Sequence, residues 1–484
     1  MYINFFYQRR LRAHYCQLVH WILALSLIQP KRILMKQFGL FFIFLIGLLM
    51  CTCNSGNIPP VTHCSELSDE DLKTQLQQQT FNYFWDGAEP VSGMARERLH
   101  LDGHYPHNDQ EVVTTGGSGF GLMNLLVGVE RGFIDRSAAF GRLRRMVDYL
   151  DKADRFHGAW PHWLHGPTGK TVPFSPKDNG GDLVETAFLM QGLLTVAQYF
   201  REGNVAEQQL SSDIDRLWRE VNWNFYTRDE EVLYWHWSPN FGWEMDFRIG
   251  GYNECLILYV LAAASPTFPI DAEVYHNGWA RNGAIAQGTK FYGLETVLDF
   301  YEHGDDPTGP LFWAHYSYLG LDPRGLVDRY ADYWNLNRNH AYGHYLYALD
   351  NPKGFLGYGA KGWGLTSSYS MIGYAGHKPG VDDLGVIAPT AALSSFPYTP
   401  SESMHFLRYL YCEADSLVGM YGPYDAYSHS AKWHPPHYLA IDQGPIAVMV
   451  ENHRTALLWN LFMSHPDVQR GLLRLGFNSP HLSN

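Results

Sequence analysis

The stretch Ser175-Pro-Lys-Asp-Asn-Gly-Gly-Asp-Leu-Val-Glu-Thr-Ala-Phe-Leu-Met-Gln-Gly-Leu-Leu-Thr-Val-Ala-Gln-Tyr-Phe200 decides the reading of this chain. From Leu183 to Phe200 it is apolar on nearly every side, which predicts a helix buried on most faces. Phe120 to Val129, Cys255 to Ala264 and Ile446 to Met463 have the same character. Alternating with them are amphipathic, charged segments: Arg142 to Lys152, Ser211 to Val221, Arg324 to Trp334 and Glu402 to Leu410. These predict helices that cover the first set and face water. Period-two alternation is scarce, and no internal repeat exists to support a solenoid. The pattern predicts an all-α chain in which an inner ring of helices is wrapped by an outer one. Successive inner helices then run parallel, so the loops leading into their N-termini open on one rim.

That rim collects acids. Asp178, Asp182 and Glu185 stand at the mouth of the Leu183–Phe200 segment, and Asp182 and Glu185 are one helical turn apart on a shared face. Asp-x-x-Glu at a helix start is equally the signature of a capping box. Glu254 precedes the next apolar segment, and Asp442, in Ala440-Ile-Asp-Gln-Gly-Pro445, precedes the last. Singly, each could serve the helix dipole. Three separate entrances carrying acids to one rim is a coincidence that capping does not require. Paired carboxyls across a cleft are the equipment of glycoside hydrolysis, one protonated for the leaving oxygen and one ionised. A general acid at a helix N-terminus must be pushed back up by burial or a neighbouring anion.

The same loops hold aromatic and imidazole rings: Trp160, His162 and Trp163, then Tyr234 to Trp237 and Trp243, then Trp363 and Tyr369, then Tyr421, Tyr424 and Tyr427. Flat rings stack on the apolar faces of sugars while acids bind hydroxyls. Core packing is the alternative role for any one of them.

Of 484 residues, 46% are hydrophobic and 15% aromatic, so the chain can bury a large core. The formal net charge of −13 argues against nucleic acid or another polyanion as partner. Residues 1–57 carry six basic side chains and no acid, which leaves 30 bases against 49 acids and a net −19 for the remainder. That favours a neutral glycan further. Met35 and Lys36 followed by the apolar run Phe38 to Met50 read as an export signal, with Met35 as the true start. Cys51 or Cys53 is then a lipidation acceptor, with simple cleavage as the alternative. The organisation expected is an N-terminal extension and signal or lipoprotein segment over 1–57 and a single catalytic domain over 58–484, exported to the periplasm or outer membrane of a Gram-negative bacterium and monomeric. Cys64, Cys255 and Cys412 are scattered and predict buried free thiols. Gly116 to Gly121 has the wrong spacing for a dinucleotide fingerprint and predicts a tight turn into a helix. Histidines lack ligand spacing, so no metal and no cofactor are expected.

Five motifs carry a resemblance: Thr80-Phe-Asn-Tyr-Phe-Trp-Asp86, Pro90-Val-Ser-Gly-Met-Ala-Arg-Glu-Arg98, Thr114-Thr-Gly-Gly-Ser-Gly-Phe-Gly121, Pro173 through Glu185, and Leu439-Ala-Ile-Asp-Gln-Gly-Pro445. Over roughly Leu67 to Phe477 the chain resembles the bacterial glucoamylase-like domain of glycoside hydrolase family 144. The resemblance implies an (α/α)6 barrel with long aromatic-rich loops on one rim, and inverting hydrolysis of β-1,2-glucan or its sophoro-oligosaccharides. It maps the acid cluster onto Asp178, Asp182 and Glu185, the central glutamate onto Glu254, and the Asp-Gln-Gly-Pro aspartate onto Asp442. On that mapping Glu254 is the general acid and Asp442 the base, directly or through a relay, with Asp182 a possible catalytic partner. Asp178, Glu185, Trp160, His162, Trp243, Trp363, Tyr369 and Tyr424 are the expected sugar-binding set. Internal cleavage and release of sophorose from a chain end both stay open. Two other classes compete: a polysaccharide lyase, which the acidic rim disfavours, and a non-catalytic surface glycan-binding lipoprotein, which leaves the clustered acids unexplained.

Overall fold

The computed structural model describes residues 66–286, 288–299 and 308–482. All belong to the second of the two units into which the chain divides, Cys64–Asn484. The segment expected to be a signal, with Met35, Cys51 and Cys53, and also Cys64, lie outside the described residues.

The fold is helix-rich, and its helices are of the two expected kinds. Thr115–Glu130, Leu183–Phe200, Leu256–Ala264, Pro389–Ser394 and Ala440–Thr455 are buried along most of their length. The short 3-10 turns Leu311–Ala314 and Tyr316–Leu319 are buried too. Asp69–Trp85, Arg136–Lys152, Val205–Glu220, Tyr333–Asp350 and Pro400–Cys412 bury one side and expose the other. Thr115–Glu130 packs between Leu183–Phe200 and Ala440–Thr455, Leu183–Phe200 packs on Leu256–Ala264, and Pro389–Ser394 packs on Ala440–Thr455. The half-exposed helices lie over these, Val205–Glu220 on Leu183–Phe200 and Asp69–Trp85 on Ala440–Thr455.

Three local expectations are corrected. Gly116 to Gly121 forms no turn but lies inside the Thr115–Glu130 helix. A Cβ on Gly119 would stand 2.2 Å from the Phe188 carbonyl oxygen, and one on Gly192 would stand 2.1 Å from that of Gly119. Glycine costs a helix interior about 1 kcal/mol relative to alanine; here it lets two buried helices touch backbone to backbone. The Ile446–Met463 segment is two helices, broken at Ala456, whose φ is 60°. Asn452 makes the break by accepting the N–H groups of Leu458 and Trp459 at 3.1 and 3.2 Å. The Arg324–Trp334 segment is not helical until Tyr333. Asp328 takes the Tyr330 and Ala331 N–H groups at 2.8 and 2.9 Å, and Asp332 caps Asn335 at 3.1 Å. Short acidic side chains thereby satisfy the backbone locally and delay the helix.

Cys255 is free and buried, as expected. Cys412 is disulfide-bonded, against the expectation of a free thiol. Widely spaced cysteines leave no pairing signal in the sequence.

Candidate active site

Three buried helices are entered directly from short strands. Val112–Thr114 pairs with Trp163–His165, Gly181–Asp182 with His236–Trp237, and His437–Leu439 with Arg98–His100. These ladders run into helices beginning at Thr115, Leu183 and Ala440. These three helix entrances are therefore stapled, and side chains at the junctions hold fixed positions relative to one another. Among them opens a cavity of about 820 Å³, lined by Glu97, Arg98, Asp109, His162, Trp163, Phe174, Glu185, Trp235, Glu254, Phe312, Tyr316, Tyr369 and Tyr374 among others. A second cavity of about 470 Å³ shares Trp235, Glu254 and Phe312 with it. Glu254 thus stands where the two meet.

Each carboxyl has a distinct setting. Glu254 lies in the turn before Leu256–Ala264, and burial pushes its carboxyl up to about 7, with its own backbone N–H pulling the other way. Asp182 caps its helix by accepting the Glu185 N–H at 2.9 Å, while its other oxygen faces His162 Nδ1 at 2.9 Å and accepts Trp235 Nε1–H at 3.0 Å. Glu185 does not close the capping box. Its Oε2 reaches across to the next helix and accepts the Gly116 N–H at 2.7 Å. Burial, with Asp182 adding to it, pushes the Glu185 carboxyl up to about 7 against the pull of His162. Burial works against a charge on His162, yet Glu185, Asp182 and Asp178 outweigh it and push the imidazole up to about 10. Asp442 sits in the first turn of Ala440–Thr455, behind a wall that includes Tyr316 and Ile441, and accepts the Tyr316 hydroxyl at 3.2 Å.

Of the expected sugar-binding set, Glu185, His162 and Tyr369 line the larger cavity. Asp178 is buried with Oδ1 3.0 Å from His236 Nε2, and Asp182 is wholly buried; neither lines the two cavities. Trp160 is a core residue whose Nε1–H is spent on the Leu150 carbonyl at 3.1 Å. Trp363 is buried against Tyr345, Trp243 packs against Phe225 and Tyr234, and Tyr424 packs against Tyr438. These four also stand outside both linings.

Other rings take their place. Trp163 and Phe174 meet edge to face with centroids 4.9 Å apart, and Phe174 stacks on His162 at 4.0 Å. Trp235 and Phe312 stand beside Glu254 at the junction, and Tyr316 and Tyr374 close the cavity toward Asp442. Sequence reasoning also missed Glu97, Arg98 and Asp425. Arg98 lies 3.6 Å from Glu97 and 3.3 Å from Asp109, bringing a cation to the cavity wall. Asp425 follows directly after Tyr424 and pairs with Asp442. Its one sequence signal is its place in a Gly-Pro-Tyr-Asp turn, which reads as loop chemistry.

Among the described residues, two trios bring potential metal-donor atoms together: His100, Asp102 and His437, and His162, Asp178 and Asp182. In the first, His100 Nδ1 faces the His104 carbonyl at 2.6 Å and its Nε2 faces the Tyr369 hydroxyl at 2.7 Å, so both ring nitrogens are engaged. In the second, His162 Nδ1 is held by Asp182.

A helix-rich chain with a buried carboxyl, its proton affinity raised, at the junction of two aromatic-walled cavities and a second carboxyl behind the wall has the equipment of a glycoside hydrolase. The family model described as "Glycoamylase: Putative glucoamylase" matches residues 246–466. The solved endo-β-1,2-glucanase of Chitinophaga pinensis, in complex with sophorotriose and glucose, is 58% identical with a TM-score of 0.85, over 86% of this chain and 100% of that one. The solved β-1,2-glucanase of Parabacteroides distasonis is 43% identical with a TM-score of 0.80, over 85% of this chain and 60% of that one. The exo β-1,2-glucooligosaccharide sophorohydrolase (non-reducing end) of Parabacteroides distasonis is 43% identical over 431 residues, 84% of this chain. The chain spans 58% of that curated relative's length. This chain belongs to the family its motifs resemble, the glucoamylase-like glycoside hydrolase family 144.

Proposed function

We propose that this chain hydrolyses β-1,2-glucosidic bonds of β-1,2-glucan or sophoro-oligosaccharides, with inversion, on a fold whose buried elements form the inner ring of an (α/α)6 toroid. The observation that carries the reading is Glu254: a carboxyl pushed up to about 7 by burial, at the meeting point of two cavities. A glucan chain lying through both cavities brings its scissile oxygen to that carboxyl. Glu254 donates its proton to the glycosidic oxygen as the C1–O bond breaks, and a water attacks C1 from the opposite face. The water's proton passes to Asp442, through the Tyr316 hydroxyl that already donates to it. Glu185, His162 and Tyr369 hold sugar hydroxyls, while Trp163, Phe174, Trp235 and Phe312 supply the flat surfaces. Asp182 and Asp178 orient His162 from behind.

The relatives' names support the linkage, since each names a β-1,2-glucan or a sophoro-oligosaccharide activity. Space on both sides of Glu254 supports cleavage within a chain. The test is digestion of linear β-1,2-glucan with product anomers followed by NMR: a ladder of oligosaccharides of inverted configuration is expected. No cleavage of polymer or oligomers sinks the reading, and tight binding without cleavage favours the glycan-binding alternative. We also propose export through the 1–57 segment with lipid attachment at Cys51 or Cys53, which fatty-acid labelling and N-terminal sequencing of the mature protein decide.

A further inference from the structure

Asp425 and Asp442 come from separate parts of the chain and meet beneath the cavity wall. Both are buried, with exposures of 1% and 4%. Asp425 accepts the Tyr369 N–H at 2.8 Å through Oδ2, and Asp442 accepts the Tyr316 hydroxyl at 3.2 Å through Oδ1. Among the described residues, the remaining oxygens, Asp425 Oδ1 and Asp442 Oδ2, receive no N–H or O–H donor. The two carboxyls lie within hydrogen-bonding reach of each other. Ionised carboxylates only accept, so a bond between them requires a proton on one. Two adjoining buried anions would also repel in a poorly screened site.

We propose that Asp425 carries that proton and, by donating it in a hydrogen bond to Asp442, keeps Asp442 ionised and oriented as the base; this rests on the role proposed for Asp442 above. The anion settles on Asp442 because its helix N-terminus and the Tyr316 hydroxyl both favour negative charge there. Asp425 has the Tyr369 N–H alone. The other charged or titratable groups facing the pair among the described residues are Glu97 and the Tyr369 and Tyr374 phenols, and Glu97 adds to the repulsion. Asp425 acts through Asp442 and touches no substrate, so it is a positioning residue. The pair is one base of charge −1: accepting the water's proton leaves both carboxyls neutral, and that proton then returns to solvent.

The test is the pH profile of kcat/KM on sophoro-oligosaccharides for the wild type, Asp425→Asn and Asp425→Ala. The asparagine amide donates to Asp442 much as the protonated Asp425 does, so the acid limb is expected to stay within about half a unit of the wild type; Asp425→Ala removes the donor, and its acid limb is expected to move to higher pH by at least about one unit, a tenfold change in proton affinity. The kcat of Asp425→Asn at the plateau is expected to fall no more than about tenfold, against at least about 10²-fold for Asp442→Asn. An acid limb that stays in place in a folded Asp425→Ala protein, or one that moves up as far in Asp425→Asn as in Asp425→Ala, overturns the proposal. A second measurement uses the unaltered protein: NMR titration with carbon-labelled aspartate carboxyls should show two linked aspartates, one still protonated at about pH 6. Two independent aspartates ionised well below that pH overturn it as well. This second arm needs no turnover, so it separates failure of the pair from failure of the proposed activity.

Discussion

Glu185 Oε2 accepts the backbone N–H of Gly116 at 2.7 Å, so a carboxyl on one buried helix caps its neighbour while facing the cavity. Glu185→Ala leaves that N–H without its charge-assisted partner, and a loss of about 1–3 kcal/mol in urea unfolding is expected. The same change removes the largest influence raising His162, so its imidazole should titrate well below about 10 in a histidine NMR titration. An unmoved His162 would mean that Asp182 and Asp178 suffice alone.

Glu254→Gln keeps the shape and removes the transferable proton. A fall of at least about 10²-fold in kcat is expected. In the wild type the alkaline limb of kcat should lie near 7, where burial holds this carboxyl. The limb should disappear from whatever activity the variant retains, and turnover close to normal would take Glu254 out of the acid's role.

The rings that touch sugar should be those on the cavity wall. Trp163→Ala is expected to raise KM for oligosaccharides by about tenfold, the order of one lost aromatic contact of about 1 kcal/mol or more. Trp243→Ala, whose ring packs on Phe225 and Tyr234, should lower the unfolding midpoint and leave KM near its wild-type value. The reverse pattern of KM values would put the glucan on the other side of the rim.

Buried histidines set the acid limit of stability. His340 and His344 both point Nε2 at the Gly309 carbonyl, at 3.0 and 2.9 Å, and His315 Nε2 faces Ser395 Oγ at 2.9 Å. Burial pushes His315 down to about 3 and His340 to about 4. The unfolded chain binds these protons near pH 6.5, so stability falls as pH drops from there through about 4. Glu254 works oppositely: raised to about 7 from 4.5, it gains stability as pH drops through that window and nothing further below it. Urea midpoints should therefore fall most steeply below about pH 4.5, and His340→Asn should flatten the fall. Midpoints that hold level down to pH 4 would contradict this account.

Much of this was legible in the chain. The Leu183–Phe200 helix begins and ends where its apolar run does, because a segment without a polar face has nowhere to go but inside. Glu254 and Glu185 were visible as acids at helix mouths. Asp182 shows the limit of that reasoning, since a cap and a site acid have the same sequence signature. Here the cap is real, and its second oxygen is spent on His162 and Trp235. Trp160 and Trp163 sit three residues apart in sequence, yet the first is core and the second is cavity wall. No local pattern distinguishes them.

The sequence by itself determined which helices are buried, which ends of them carry acid, and to which family the motifs point, because hydrophobic patterning and capping act over a few residues. The tertiary structure alone decided which acids face one another and which rings face the cavity. Asp425 and Asp442 are 17 positions apart in sequence and Glu185 and Gly116 are 69 apart. Their pairing depends on distant elements packed side by side, and their proton affinities depend on burial and on neighbours brought there by that packing. Neither is a property of any single stretch of chain.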